Sequence, residues 1–284
     1  MKTLKLALIS AALFASTGAF AQLKVTDWAA KTGPLFPHSG IVESETEIGL
    51  VDAQQSKAEA LRLVADLLEK GKTLKWVYVT HPHLDHFAGA DIVKQYFPEA
   101  KFYAPKGANA EMAYQVKTRR LPLGQGTLGG ANNLPELAPT DFIEAPKKLE
   151  LGGEAVEILY GIGDHPDSSV VWVPSAKTVI AGDVIFNKTH AFFGDHNNVP
   201  AWIELVERIQ KLKPEVVVAG HSKTLNPSGA LVGQQLTWLK DLNAAMKVND
   251  SWQYVKAEMV KKYPDYANDF IFEFSYSVRK PKMK

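Results

Sequence analysis

Residues 75–86 read KWVYVTHPHLDH, and this stretch decides the fold that we expect for the chain. Its first half is apolar, aromatic and β-branched, which predicts a buried strand. Its second half places His81, His83, Asp85 and His86 within six residues, directly after the carboxyl end of that strand. His81 and His83 point to the same side of an extended chain, and the other two follow on the turn. Imidazole and carboxylate groups without sulfur suit zinc, with iron or manganese as alternatives.

Strands and amphipathic helices alternate along the rest of the chain, which is the pattern of a layered α/β domain. Strands are predicted at 23–28, 40–43, 47–52, 74–80, 101–103, 155–159, 169–173, 178–181 and 215–219. Helices are predicted at 56–70, 200–213 and 231–246. The run 119–140 is rich in Gly, Pro and Asn and longer than an ordinary connection, so it is either a functional lid or an excursion of the chain. No linker divides the chain, so one domain is expected over 22–284.

The composition of the 284 residues excludes several classes of function. The chain has no cysteine, so disulfides, thiolate nucleophiles and cysteine-ligated metal sites are ruled out. Lys and Arg number 32 against 31 Asp and Glu, which leaves no basic field to hold nucleic acid. A small-molecule substrate is therefore expected.

The first segment, residues 1–21, reads MKTLKLALISAALFASTGAFA. Two lysines, an apolar stretch and a final Ala-Phe-Ala are typical of a secretory signal peptide. A membrane anchor is the alternative, but the apolar stretch is short of the roughly 20 residues that a spanning helix needs. We expect cleavage before Gln22, no membrane insertion afterwards, and a protein in the periplasm or outside the cell.

Three later motifs complete a pattern that resembles the metallo-β-lactamase-fold hydrolases. Each follows a predicted strand: they are Gly163-Asp-His-Pro166, Ala181-Gly-Asp-Val184 and Ala219-Gly-His-Ser222. The resemblance implies an αββα sandwich with a first metal ion on His81, His83 and His165, a second on Asp85, His86 and His221, and Asp183 bridging the two. It also implies that Asp52 supports the metal loop from behind, and a simple turn residue is the alternative interpretation of Asp52.

A binuclear site of this kind implies hydrolysis. Two zinc ions, or manganese or iron, would hold a hydroxide that attacks a carbonyl or phosphoryl group, and Asp85 would orient it and carry a proton to the leaving group. Asp183 makes the chain look more like the lactonase, thioesterase and phosphoesterase branches than like the β-lactamases. We therefore expect an ester, lactone or thioester substrate, with β-lactamase or phosphoesterase activity as alternatives. From other classes, a mononuclear iron persulfide dioxygenase and a non-catalytic binding protein remain open.

The stretch after Asp183, VIFNKTHAFFGDHNNVP, is expected at the mouth of the substrate pocket. His190 is a candidate catalytic residue that donates to an oxyanion, and Phe192 and Phe193 are candidates for an apolar wall. A packed loop with polar tips, including His196, is the alternative interpretation. His38 has no motif around it, and no chemical role is expected for it.

Overall fold

The computed structural model describes residues 22–32, 35–126, 142–196 and 198–279. Its strands are β1 (Lys24–Ala29), β2 (His38–Glu43), β3 (Glu47–Val51), β4 (Thr73–Tyr78), β5 (Lys101–Ala104), β6 (Ile143–Glu144), β7 (Lys148–Leu151), β8 (Glu154–Gly161), β9 (Ser168–Val173), β10 (Thr178–Ile180) and β11 (Val216–Val218). Its helices are α1 (Lys57–Glu69), α2 (Leu84–Phe87), α3 (Ala90–Tyr96), α4 (Ala108–Gly126), α5 (Val199–Lys211), α6 (Leu231–Val248), α7 (Trp252–Lys262) and α8 (Ile271–Val278), and Gly182–Val184 forms a short 3-10 turn.

The strands form two sheets. One has six strands in the order β1-β2-β3-β4-β5-β6, and the other has five in the order β11-β10-β9-β8-β7. β3, β4 and β5 are parallel neighbours, as are β10 and β11, whereas β8 and β10 each run antiparallel to β9. The carboxyl ends of β3 and β4 therefore lie at one edge of the first sheet, and those of β8, β10 and β11 lie at one edge of the second.

Three apolar clusters define the layers. Val42, Val51 and Tyr78 of the first sheet pack against residues of the second, such as Val171 and Ile180, so one cluster lies between the sheets. A second cluster lies between the first sheet and helices α1, α3 and α4. The third lies between the second sheet and helices α5 to α8. Helices thus cover both outer faces, which confirms the predicted αββα sandwich.

The amphipathic helices follow directly from the sequence. Helix α1 begins after Ser56, whose side chain accepts a hydrogen bond from the Glu59 amide, and it buries Leu63 and Leu67 on one face. Helix α5 begins at Asn198, which caps the amide of Ala201 in the same way. The predicted helices and nine predicted strands are found, each within a few residues of its expected bounds.

The structure departs from the predictions around 119–140. Helix α4 continues to Gly126, so the expectation of an unstructured run from residue 119 is wrong for its first third. The rest, 127–140, lies outside the described residues. Strands β6 and β7 and the late helices α7 and α8 were not predicted. In the described part of the chain, no helix has the length and hydropathy needed to cross a bilayer.

The two sheets are joined at the edge where the strands end. Ser169, at the start of β9, donates its hydroxyl to the Thr80 carbonyl at 2.6 Å and lies 2.6 Å from the hydroxyl of Tyr78. At the neighbouring corner, the His38 amide donates to the Gly220 carbonyl at 2.8 Å. These bonds bring the loops after β3, β4, β8, β10 and β11 to one place.

Candidate metal centre

Four loops deliver seven polar side chains to this edge, in two adjoining groups. Ligand atoms of the first group, His81, His83, Asp164 and Asp183, lie within 4.8 Å of one another, and so do those of the second group, Asp85, His86 and His221. Asp183 also belongs to the second group by distance, because its two carboxylate oxygens lie 3.1 Å from His86 Nε2 and 3.1 Å from His221 Nε2. All seven side chains are buried except Asp85, which is partly exposed.

Two glycines allow this close approach. Gly182 has a φ of +47°, and a side chain there would place its Cβ 2.3 Å from Thr80 Oγ1. At Gly220, the residue before His221, a Cβ would lie 2.2 Å from Asp183 Oδ1. The Ala-Gly-Asp motif therefore needs glycine because its backbone lies against the side chain of Thr80, and the Ala-Gly-His motif needs glycine because its backbone lies against the side chain of Asp183.

In the first group, each histidine has one ring nitrogen committed away from the centre. His83 donates from Nε2 to Asp195 at 2.5 Å. His81 donates from Nδ1 to the Thr80 hydroxyl at 3.0 Å, because that hydroxyl gives its own proton to Asp52 at 2.9 Å. In the neutral rings, the free lone pairs are therefore on His81 Nε2 and His83 Nδ1, and these two atoms lie 3.0 Å apart.

The second group repeats this arrangement. His86 donates from Nδ1 to Asp52 at 2.8 Å, and His221 donates from Nδ1 to the Leu35 carbonyl at 2.7 Å. Their Nε2 atoms then face each other at 3.3 Å with lone pairs towards the same space. Lone pairs that converge in this way repel each other unless a cation lies between them. The residues present therefore fit a metal ion in each group.

The charges point the same way. Burial alone would lower the pKa of His83, but the carboxylates of Asp164 and Asp195 raise it to about 10. Burial would also lower the pKa of His221, yet Asp183 and Asp85 raise it to about 10. In both groups the carboxylates favour positive charge on the imidazoles, and a bound metal ion would supply that charge while leaving the rings neutral.

The structure brings together six of the seven predicted ligands, and it places Asp164 where His165 was expected. Asp164 Oδ2 lies 2.8 Å from His83 Nδ1, and Asp164 Oδ1 accepts from the Ser168 hydroxyl at 3.1 Å. His165 instead uses Nδ1 to accept from the Asp167 amide at 3.0 Å, and its ring lies beside His83 with centroids 5.4 Å apart. The first group therefore has two imidazoles and two carboxylates, a harder donor set than three imidazoles would make.

Sequence reasoning missed Asp195, although a signal exists. The tripeptide Gly-Asp-His occurs at 163–165 and again at 194–196. In both copies the aspartate contacts His83, and in both the histidine accepts the backbone amide two residues later through Nδ1. His196 also donates from Nε2 to the Gly163 carbonyl at 2.5 Å, which ties the two copies together. The role of His196 in this structure is to hold these loops.

The other predicted site residues are divided between the cavity and the core. A cavity of about 910 Å³, including the solvent at its mouth, opens beside the two groups and is lined in part by His190 and Phe192. Phe193 points the other way and packs on Phe272 and Tyr276, so the expectation that it forms part of the pocket wall is wrong. Neighbouring residues of an extended segment face opposite sides, which explains the split.

His190 is buried and uncharged. It accepts from Trp238 Nε1 through Nδ1 at 3.3 Å, so the ring proton is on Nε2. That Nε2 atom has no hydrogen-bond partner among the described residues. Burial lowers the pKa of His190 from 6.5 to about 4. His190 therefore offers one N–H donor to whatever occupies the cavity.

Two further residues considered in the sequence have clear positions behind the centre. Asp52, at the end of β3, supports His86 directly and His81 through Thr80, as the resemblance implied. His38 is buried between Asp27, at 2.6 Å from Nδ1, and the Ser222 carbonyl, at 3.0 Å from Nε2. His38 therefore holds structure at the margin of the site.

Similar proteins agree with this geometry. A family model described as the metallo-β-lactamase superfamily matches residues 32–221. The chain is 31% identical over 157 residues to a metallo-β-lactamase type 2 of Elizabethkingia meningoseptica, which covers 53% of this chain and 54% of the relative. It is 30% identical over 123 residues to a probable metallo-hydrolase of Bacillus subtilis, covering 42% and 53%. The chain thus spans about half the length of these two curated relatives.

Solved structures share the fold. A metallo-β-lactamase family protein of Thermus thermophilus superposes with a TM-score of 0.62 at 18% identity, over 88% of this chain and 91% of that one. A β-lactamase domain protein of Burkholderia ambifaria gives a TM-score of 0.64 at 13% identity, over 89% and 85%. At these identities the likeness concerns the fold.

The bond from His83 to Asp195 generates a prediction about metal affinity. Asp195→Asn removes the negative charge that makes His83 a better ligand, so metal affinity should fall by about tenfold or more. Competition with a chelating dye measures this. The matched control is Asp27→Asn, the same change at the His38–Asp27 pair, which lies outside the two metal-facing groups. Equal metal affinities for Asp195→Asn and the parent protein would contradict the role.

The lowered pKa of His190 generates a prediction about stability. Between pH 6.5 and about 4 the unfolded chain binds a proton at this residue and the folded chain does not, so the free energy of unfolding falls as the pH falls. In His190→Asn this contribution is absent, so the slope of the free energy of unfolding against pH should be shallower by up to about 1.4 kcal/mol per pH unit. Urea unfolding of the parent protein and the variant at several pH values measures this slope. The difference in stability at pH 7.5 gives the effect of the substitution alone. Parallel slopes would show that His190 titrates normally.

Proposed function

The chain belongs to the metallo-β-lactamase superfamily, and we propose that it is a hydrolase that uses two divalent metal ions to cleave an ester, lactone or thioester. The observation that supports this most directly is the pair of adjoining groups that share Asp183, whose oxygens lie near histidines of the second group and 3.8 Å from His81 of the first. Zinc is the ion we propose, with manganese and iron as the alternatives that this nitrogen and oxygen donor set accepts.

When bound, two such ions supply a hydroxide at neutral pH and polarise the oxygen of the group under attack. Asp85 is the residue of the centre that we propose to act on the attacking water. Its Oδ2 lies 3.2 Å from His221 Nε2, and its side chain lines the cavity. Burial would raise the pKa of Asp85, but His86 and His221 lower it to about 2, so the group is ionised and accepts hydrogen bonds. An ionised Asp85 can orient the water, accept the proton that the water gives up and pass that proton to the leaving group.

His190 is the residue that we propose to bind the substrate oxygen. Its Nε2–H is the unpaired buried donor in the wall of the cavity, and it stays neutral through the physiological range. A fixed neutral donor stabilises developing negative charge without having to lose a proton itself. The near-zero net charge of the chain adds no general attraction for polyanions, which favours an uncharged carbonyl substrate over a phosphorylated one.

The two alternatives from other classes each explain less of the site. An iron dioxygenase needs one ion, held by two histidines and a carboxylate. His81, His83 and Asp164 make such a set, but the second group is also complete. A binding protein without activity would not need Asp85 at the open side of the centre.

Export is also part of the proposal. It rests on the lysine-led apolar segment and the Ala-Phe-Ala before Gln22. Intact-mass analysis of protein recovered outside the cytoplasm should give a chain that begins at Gln22. Recovery of that protein with Met1 retained would contradict cleavage.

The reaction class is tested with a substrate panel. Protein loaded with zinc, and separately with manganese, is assayed on lactones, thioesters, phosphoesters and β-lactams. We expect the highest kcat/KM among the lactones and thioesters. A β-lactam or a phosphodiester turned over far faster than every lactone and thioester would overturn the assignment.

Three further measurements accompany the panel. Elemental analysis of the active protein should give close to two metal ions per chain, and one iron with no zinc would favour the dioxygenase instead.

Asp183→Ala should lose metal and most turnover, because Asp183 contacts both groups. His190→Ala should keep its metal and lower kcat by about 10²-fold if the residue binds the oxyanion.

A further inference from the structure

Beyond the metal centre, the cavity has a wall that the family match does not include. Phe270, Ile271 and Phe274, at the start of helix α8, line the same cavity as Phe192 and the metal-facing residues. The family model ends at His221, so this wall comes from the part of the chain that follows it. The family likeness therefore gives no information about its purpose.

The wall is attached to the centre by the backbone. Thr189 and Ala267 form a parallel bridge, the His190 amide donates to the Ala267 carbonyl at 2.9 Å, and the Ala267 amide donates to the Lys188 carbonyl at 3.0 Å. The chain then passes into α8, where Phe272 packs beneath His190 with ring centroids 4.8 Å apart. The loop that carries His190 and the wall therefore form one unit, and their distance from the centre is fixed.

The chemistry of the wall selects against charge. No Lys or Arg is present among the described residues that line the cavity. A carboxylate or phosphate held against the α8 wall, away from the metal-facing end of the cavity, would therefore lose its hydration without gaining a cation, which is costly. The aromatic rings of Phe192 and Phe274 lie 5.6 Å apart by centroid, in contact with each other, and together form one continuous apolar surface of the cavity.

The outer edge of this apolar surface, formed by Phe270 and Phe274, is partly exposed to solvent. Phe270 is 44% exposed and Phe274 is 37% exposed, although both are large apolar side chains on a short helix whose other face is buried. Apolar residues exposed next to an apolar cavity mark a binding surface for an apolar group. Phe274 contacts Phe192, and the centroid of Phe192 lies 5.5 Å from that of His83, so this apolar surface leads directly to the centre.

We propose that helix α8 is the specificity wall of the site, and that the cavity takes an uncharged substrate whose acyl group is a medium-length hydrocarbon chain. This rests on the proposed function, since it names the group carried by the carbonyl that the centre attacks. The hydrocarbon lies along the apolar surface that Phe192 and the residues of α8 form together, and the carbonyl lies at the metal-facing end of the cavity.

The test uses the metal-loaded full chain and two thioesters of N-acetylcysteamine, acetyl and octanoyl, which share one small uncharged leaving group. The released thiol is titrated without background because the protein has no cysteine. We expect the octanoyl thioester to have the higher kcat/KM. In the double variant Phe270→Ala/Phe274→Ala, the ratio of octanoyl to acetyl kcat/KM should fall about tenfold or more.

The control is Tyr96→Ala, an exposed aromatic residue at the end of α3 that is not among the residues lining the cavity. It should leave the ratio unchanged. Equal kcat/KM for the two thioesters, or a ratio that the double variant does not move, would overturn the specificity wall while leaving the hydrolase assignment intact.

A binding measurement separates the two proposals if neither thioester is cleaved. Octanamide and acetamide, which are uncharged, are titrated calorimetrically into the metal-loaded parent and the double variant. Binding of octanamide that the double variant weakens about tenfold supports the wall even though the hydrolase assignment fails. Absence of octanamide binding to the parent protein would overturn the wall as well.

Discussion

The structure depends on the way in which four imidazole rings are oriented from behind. Each of them gives one N–H to an acceptor outside the centre, and this leaves the other nitrogen with a lone pair facing inward. Two such nitrogens meet at 3.0 Å in one group and at 3.3 Å in the other. A buried arrangement of this kind is stable only with positive charge between the lone pairs, so binding of metal is coupled to the stability of this edge of the fold.

Asp52 connects the two groups behind the metal-facing atoms. It accepts from His86 directly, and from Thr80, whose hydroxyl in turn holds His81. One carboxylate therefore sets the tautomer of one ring in each group. Asp183 connects the groups from the front, where its oxygens face both. A disturbance in either aspartate is felt at both metal positions, because Asp52 is linked to a histidine of each group and Asp183 lies near histidines of both.

The sandwich provides the site and the later helices shape what can reach it. Loops at the carboxyl ends of five strands bring the polar side chains together, and their bonds, such as Ser169 to Thr80, keep the two sheets in register there. Helix α8 then closes one side of the cavity with apolar side chains. These two parts of the site have different physical requirements. Metal ligands need a fixed geometry, which the strand ends provide. An apolar wall needs only area and shape, which a helix late in the chain supplies.

The local pattern of the chain was enough to predict most of this arrangement. The strand followed by His-x-His-x-Asp-His, the strand ends before Asp183 and His221, and the apolar stripes of α1 and α5 depend on residues close in sequence. The sequence did not decide which of two adjacent residues faces the site. Asp164 rather than His165 faces His83 because the Asp167 amide and the Ser168 hydroxyl orient the turn, and Phe192 rather than Phe193 faces the cavity because Phe272 and Tyr276 fill the other side. Asp195 and helix α8 reach the site through contacts between residues far apart in the chain, 112 residues from His83 to Asp195 and 82 from Phe193 to Ser275, and such contacts leave no periodic signal in the sequence.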